Sequence, residues 1–192
     1  MPKLGMEPIR REALVKATIA EIGRAGSLDV TVAQIARRAG MSSALAHHYF
    51  GSKEQIFLAA MRHVLTLYGA EIRGALAAAD SQRGRVVAVI RAGFSTSSFR
   101  SENVGAWLNF YVLAQTNADV ARLLRIYQRR LQSNLTHDLR SLLGERAVAV
   151  ARGLGAMIDG VYIREALKGG TPDGLSAARL VENYLARELG EK

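Results

Sequence analysis

Residues 31–53, TVAQIARRAGMSSALAHHYFGSK, constrain the fold of this 192-residue chain more than any other stretch. Thr31 followed by Gln34 forms a capping box that begins one short helix, and Gly40 suits the left-handed residue that ends it. Ser42 then caps a second short helix, whose apolar positions repeat every four residues. Helix, glycine turn and helix in this order predict a helix-turn-helix.

The second short helix is predicted to have an outer face of small and hydrogen-bonding side chains. Ser43 and His47 point away from Leu45 on a helical wheel, with Ala44 and Ala46 beside them. Such a face can approach base edges closely in the major groove of DNA. The structural alternative is an ordinary corner of a helical bundle, which the flanking sequence disfavours.

Charged residues on both sides of the motif are candidates for contact with the DNA backbone. Arg10 and Arg11 open the first helix, where they either contact phosphates and the adjacent minor groove or form a solvated face. Lys53 lies in the first turn of the helix that Ser52 caps. Because a helix N-terminus offers N–H groups and positive dipole to an anion, we predict that Lys53 contacts phosphate.

The rest of the chain shows helical periodicity and no alternating strand pattern of useful length. We therefore expect an all-α protein with about nine helices. A helix-turn-helix DNA-binding domain is predicted over residues 1–51, and a ligand-binding and dimerisation domain over residues 52–192. A long helix to about Ala79 connects them, and the next helix is expected to begin at Asp80–Ser81 and end near Ser98.

Composition limits the class of protein. The absence of cysteine excludes disulfides and thiolate metal sites. No run of about 18 apolar residues occurs and no apolar signal core follows the N-terminal basic residues, so we expect a cytoplasmic protein without a membrane span. The net charge of +9 favours polyanion partners, although a solvated basic surface accounts for it equally well.

Aromatic and acidic residues in the second half outline a candidate ligand site. Trp107, Phe110 and Tyr111 share one face of a helix, and Asp159 and Tyr162 share a face of another. Aromatic residues at this spacing more often form plain core, and a buried aspartate more often makes a salt bridge or an intersubunit hydrogen bond. The same residue types suit a quaternary ammonium ligand, which aromatic faces and a carboxylate hold.

The last two helices carry apolar stripes, which need a partner surface. Each stripe is satisfied either within the chain or across a two-fold dimer interface, and we expect the dimer. Such a dimer would place two reading helices about 34–36 Å apart, matching consecutive major grooves. The stripe residues are Ala177, Leu180, Val181, Tyr184 and Leu185 on the last helix and Ala147, Val150, Ala151, Leu154, Ile158 and Val161 on the helix before it.

The motif resembles the DNA-binding domain of the TetR family of bacterial transcriptional regulators. The residues that carry this resemblance are Thr31, Ile35-Ala36, Ala39-Gly40, Ser42, Leu45, His48-Tyr49-Phe50 and Ser52-Lys53-Glu54. Further segments resemble the choline-responsive repressors of that family, namely MPKLGM, AQIARRAG, AWLNF, RRLQSNL and GLGAMIDGVYIREAL. The resemblance implies a homodimeric repressor of choline-uptake and glycine betaine biosynthesis genes, which binds operator DNA and responds to choline or a related quaternary ammonium compound.

The resemblance also implies site residues. DNA contacts are expected from Thr31, Ser42, His48 and Tyr49, in addition to the DNA-contacting residues predicted above. Dimerisation is expected through the last two helices. His47 departs from the tyrosine that many family members place there. Its imidazole can still donate to a phosphate or a base. Ser43 and Ala44 also differ from common family choices, so the operator sequence does not carry over.

Three other functions are also compatible with the sequence. A TetR-type repressor sensing a different small organic ligand is the first, an all-α enzyme the second, and a helical scaffold without DNA contact the third. No nucleophile, base and orienting group can be assembled, so an enzyme and a cofactor are not expected. Adjacent helical residues such as His47 and His48 diverge by about 100°, so a metal site is not expected either.

Overall fold

The computed structural model describes residues 5–191, and in this range it contains nine α-helices, one 3-10 turn and no strand. The predicted N-terminal tail with Lys3, and most of the MPKLGM segment, lie outside the described residues. The predicted all-α fold is confirmed, and the number of helices in this range agrees with the expected number of about nine. The helices are α1 (Met6–Ala25), α2 (Val32–Arg38), α3 (Ser43–Phe50), α4 (Lys53–Ala78), α5 (Gln82–Gly93), α6 (Ser101–Leu113), α7 (Ala118–Leu143), α8 (Ala147–Leu167) and α9 (Gly174–Leu189), with the 3-10 turn at Gly144–Arg146.

Contacts divide the chain into two compact units. The first contains the described residues up to Leu65 together with Arg100–Leu123, and the second contains Thr66–Phe99 together with the described residues from Leu124 onward. Helix α4 is continuous and contributes residues to both units. This grouping differs from the predicted boundary after Gly51, because α6 packs on α1 rather than with the later helices.

Two glycines allow the close packing of α6 on α1. A Cβ atom added at Gly23 would lie 2.3 Å from Cα of Glu102, and one added at Gly105 would lie 2.9 Å from Cα of Gly23. Backbone atoms cannot move aside as a flexible side chain can. The sequence position of these glycines therefore fixes where α6 crosses α1.

Helix α5 ends earlier than predicted. It stops at Gly93 instead of near Ser98, and the following residues form turns. The Ser95 hydroxyl lies 3.0 Å from the hydroxyls of Ser97 and Ser98, and the Ser98 backbone N–H donates to the Ser95 carbonyl at 3.0 Å. Serine side chains that bond to their own segment compete with helix formation, which explains the early end.

The apolar stripes on α8 and α9 are largely buried within the chain. The predicted stripe residues Ala177, Val181 and Leu185 are buried, as are Leu154 and Ile158 on α8. For these residues the structure shows the alternative of packing within the chain, because α8 and α9 pack against each other. Dimerisation through the last two helices stays a prediction. Leu180, which also belongs to the predicted stripe, remains 54% exposed, and Leu175, outside the stripe, is 74% exposed.

Ion pairs tie the helices of the second unit together. Arg85 donates from Nε to Oδ1 of Asp138 at 2.8 Å, which joins α5 to α7. Arg91 donates to Glu182 at 2.7 Å and Arg83 to Glu191 at 2.6 Å, so two further pairs join α5 to the C-terminal segment. Asp138 is buried, and its pairing with Arg85 meets the requirement that a buried charge be compensated.

Candidate nucleic-acid interface and effector residues

The helix-turn-helix has the local structure that its sequence predicts. Oγ1 of Thr31 accepts from the Gln34 N–H at 3.2 Å, and Oε1 of Gln34 accepts from the Thr31 N–H at 2.7 Å. Oγ of Ser42 accepts from the Leu45 N–H at 3.2 Å, which caps α3. Gly40 and Gly51 both have positive φ, 68° and 76°, where a side chain would be strained. These caps fix the ends of α2 and α3.

The outer face of α3 is accessible in the first unit. Ala44, His47 and His48 are exposed, and Ser43 is half-buried. Ala46 is fully buried, so the prediction that it lies beside this face is wrong. Because α3 packs on α1 and α2, a small methyl group is needed on the covered side. The predicted reading face is therefore Ser43, Ala44 and His47.

Arg11 holds the C-terminal end of α3. Its Nη1 donates to the Tyr49 carbonyl oxygen, and its guanidinium lies 4.5 Å from the centroid of the Phe50 ring. A cation at a helix C-terminus also compensates the negative end of the helix dipole. The sequence predicted that Arg11 either contacts phosphate or lies on a solvated face. The structure shows a third role, which is to position α3 against α1.

The other predicted DNA contacts lie close to α3 in the same unit. Arg10 is exposed and donates from Nη1 to the Tyr49 hydroxyl at 3.4 Å. Lys53 is the first residue of α4, and its Nζ lies 5.3 Å from the Phe57 ring centroid. The hydroxyl of Thr31 both accepts from the Gln34 N–H and donates to its Oε1 at 3.0 Å. The structure thus accounts for Thr31 as a helix cap.

His47 has a defined tautomer in this arrangement. Its Nδ1 lies 3.2 Å from the Gly51 carbonyl oxygen, which can only accept, so Nδ1 carries a proton. In the neutral ring Nε2 is then an acceptor. His47 can therefore donate from Nε2 to a phosphate only as imidazolium, whereas the neutral ring can accept from an amino group on a base edge.

A buried carboxylate fixes α2 relative to α1. Glu21 on α1 accepts from Arg24 at 2.7 Å and from Arg38 in the last turn of α2. The hydrogen bonds from Arg24 and then Arg38 hold the pKa of the Glu21 carboxyl below its usual value, against the opposing effect of burial. Glu21 was not singled out in the sequence, where an isolated glutamate within an amphipathic helix carries no signal of its role.

The predicted effector residues fall in both units. Trp107 and Tyr111 lie in the first, with their rings edge to face at 5.7 Å. Phe110 is fully buried there, as the alternative of plain core predicts. In the second unit the Tyr162 hydroxyl donates to the Ser98 carbonyl at 2.8 Å, and its ring stacks on Phe99.

Asp159, also in the second unit, has two aromatic neighbours that the sequence did not indicate. The Tyr127 hydroxyl donates to Oδ1 of Asp159 at 2.8 Å, and the Tyr68 ring meets the Tyr127 ring edge-on at 5.6 Å. Burial, and secondly the Asp159 charge, raise the pKa of the Tyr68 phenol. The three residues come from α4, α7 and α8, so only tertiary contact brings them together.

A capped helix-turn-helix with an accessible second helix, followed by further helices without strand in the described range, defines a helical DNA-binding regulator. Two family models agree with this class. Residues 14–60 match the bacterial regulatory proteins of the tetR family, and residues 82–190 match the C-terminal region of BetI-type transcriptional repressors.

Known proteins are similar over nearly the whole chain. The HTH-type transcriptional regulator BetI of Brucella anthropi is 54% identical over the full length of both chains. BetI of Rhizobium meliloti is 48% identical over 98% of this chain and 94% of its own. The chain therefore belongs to the TetR family, in its BetI-type group. It is a DNA-binding transcriptional repressor and not an enzyme.

Solved structures share the fold at lower sequence identity. A transcriptional regulator from Pseudomonas aeruginosa PAO1 superposes with a TM-score of 0.84 at 24% identity, covering 98% of this chain and 93% of its own. A regulator from Saccharomonospora viridis, solved in complex with choline, gives a TM-score of 0.82 at 21% identity, covering 91% and 94%. None of the helices within residues 5–191 combines the length and apolar character needed to cross a membrane.

Proposed function

We propose that this repressor binds operator DNA as a homodimer, through α3 of each subunit, and controls genes for choline uptake and glycine betaine biosynthesis in response to choline. The observation that carries the proposal is the 54% identity to BetI over the whole chain. The accessible face of α3, with both ends capped, supports the DNA-binding part.

The proposed operator contacts separate into two groups. Ser43, Ala44 and His47 form the face that approaches base edges, because their side chains are short or carry hydrogen-bonding groups. The other residues lie around that face and are assigned to the phosphate backbone, which positions the protein without reading sequence. This second group consists of Arg10, Thr31, Ser42, His48, Tyr49 and Lys53.

The effector assignment rests on the chemistry of a trimethylammonium group. That group has no N–H to donate, so a carboxylate and aromatic faces must hold it. Asp159 supplies the carboxylate, and Tyr127 and Tyr68 in the same unit supply aromatic surface. Tyr162 of this unit remains a proposed contact from the sequence. That a structural relative from S. viridis was solved with choline supports this ligand class.

Choline is proposed to act by favouring one placement of the two reading helices over another. Helix α4 is the proposed route, since its residues belong to both units. The dimer is proposed to form through exposed residues of the last two helices, including Leu175 and Leu180 of α9.

A gel-shift assay with DNA flanking the repressor's own gene, with and without saturating choline, tests the function directly. We expect a specific complex whose affinity changes with choline. No complex at low salt would refute the DNA-binding proposal, whereas a complex that ignores choline would refute only the coupling. A thermal-shift comparison of choline, betaine aldehyde and glycine betaine then tests the ligand class.

Calorimetry with effector-site variants tests the residues. Asp159→Asn should weaken choline binding about tenfold and leave operator affinity unchanged, because it removes a contact with the cation. Asp80→Asn, an exposed acid in the second unit, is the matched control and should change nothing. Glycine betaine should bind more weakly than choline, since Asp159 repels its carboxylate. Unchanged choline affinity in Asp159→Asn would reject the assignment.

A further inference from the structure

A basic groove lies between α7 and α8 in the second unit. Its volume is about 730 Å³, and four arginines line it: Arg125, Arg129 and Arg140 from α7 and Arg152 from α8. None of these residues belongs to the proposed DNA contacts or effector residues. The groove therefore holds part of the net positive charge that the repressor function leaves unexplained.

The groove arginines have no counter-ions in the described part of the chain. No carboxylate oxygen there lies within 4.0 Å of their guanidinium nitrogens. Other arginines of the same unit are paired, as Arg85 with Asp138 and Arg91 with Glu182 show. The contrast is local, because no acid is among the residues that line the groove.

Helical geometry places these charges on one side of α7. Five polar residues of α7 follow one another at spacings of three and four, so they share one helical face. They are Arg125, Arg129, Gln132, Thr136 and Arg140. Nε2 of Gln132 donates to the Val148 carbonyl at 3.2 Å and to the Thr136 hydroxyl at 3.3 Å, so this face is tied to α8. Like charges at such spacing destabilise a helix unless something neutralises them.

We propose that this groove binds a small, multiply charged phosphate compound, of the class that includes pyrophosphate and nucleoside di- and triphosphates. Guanidinium groups donate in pairs to phosphate oxygens, and four of them match a ligand with several negative charges. The neutral donors of Gln128 and Ser133 line the same groove. Its volume falls in the range of small-molecule sites.

Isothermal titration of the full chain at physiological salt tests the proposal with three probes: inorganic phosphate, pyrophosphate and ATP. We expect saturable binding of one pyrophosphate or ATP per chain and much weaker binding of inorganic phosphate. Tighter binding of ATP than of pyrophosphate would identify a nucleotide as the ligand, and equal binding would identify the phosphate chain itself.

Charge-matched variants locate the site. Arg129→Ala and Arg152→Ala should each weaken pyrophosphate binding about tenfold, because each removes a charge-assisted hydrogen bond. Arg130→Ala removes the same charge from an exposed neighbour outside the groove lining and should leave binding unchanged. Arg125→Gln serves as a second groove variant, and thermal unfolding of every variant verifies its fold.

Several outcomes would overturn the proposal. The first is that none of the three probes binds at millimolar concentration. The second is that Arg130→Ala and Arg129→Ala lose pyrophosphate affinity equally, which would indicate diffuse charge instead of a site. A third is that the groove variants weaken binding to random duplex DNA, or shift the monomer–dimer equilibrium, while pyrophosphate binding stays intact. That result would assign the groove to a macromolecular interface. Operator binding is measured separately, so the proposed repressor function is independent of this result.

Discussion

At the scale of single residues, the side chains that position the reading helix differ from those that are predicted to touch DNA. Arg11 contacts the last turn of α3, and Glu21 joins α1 to the last turn of α2. Both side chains act through the placement of a helix. We therefore expect substitutions at these two positions to change stability, and at His47 to change DNA affinity.

The Glu21→Gln variant should be less stable than the parent by about 1–2 kcal/mol at neutral pH, since it loses charge-assisted hydrogen bonds to partly exposed arginines. Because folding lowers the pKa of the Glu21 carboxyl, its stabilisation is complete above the unfolded pKa and is lost as the pH falls through the lower folded pKa. Urea unfolding of both proteins from neutral pH to about pH 3 measures this. A stability difference that persists at the acid end would contradict the role given to Glu21.

His47→Ala should weaken operator affinity about tenfold and reduce the discrimination between the operator and random duplex DNA, because its ring belongs to the face of α3 that is proposed to approach base edges. His48→Ala, at an exposed neighbour assigned to the phosphate backbone, should weaken binding to both DNAs by a similar factor. Fluorescence anisotropy with the two DNAs measures the difference. A His47→Ala protein that weakens both complexes equally would contradict the base-reading role.

At the scale of elements, the crossing of α1 and α6 depends on two glycines. Gly23→Ala should destabilise the protein by about 1–3 kcal/mol, since its methyl group would overlap the Glu102 backbone. Gly74→Ala is the matched control: it lies within α4, and its added Cβ would have no neighbour within 4 Å. That substitution should stabilise the helix by about 0.5–1 kcal/mol. Thermal unfolding of the pair measures both effects, and equal melting temperatures would refute the close crossing.

At the scale of the whole molecule, dimerisation sets the affinity for a two-fold operator. Leu180→Glu should convert the protein to monomers and lower operator affinity at least about tenfold, because two linked reading helices bind far more tightly than one. Analytical ultracentrifugation and anisotropy measure the two effects. Leu142→Glu, at an exposed leucine on α7, is the control and should remain dimeric. A Leu180→Glu protein that stays dimeric would place the interface elsewhere.

Local signals in the sequence were sufficient to predict the helix-turn-helix. Capping residues such as Thr31 and Ser42, the glycines at positions 40 and 51, and a repeat of three to four residues act over one or two helical turns. For that reason the bounds of α2 and α3 were predicted to within a few residues. The early end of α5 was missed, because its serine hydroxyls bond within a turn that periodicity does not reveal.

The sequence by itself determined the helices, their caps and the small, polar face of α3, because each depends on residues within about one helical turn of one another. Tertiary structure alone decided that the α8 and α9 stripes bury each other, that Arg11 holds α3, and that Tyr127 meets Asp159. Those contacts join residues tens of positions apart. Spacing along one helix shows which side chains share a face, and packing between helices decides what that face touches.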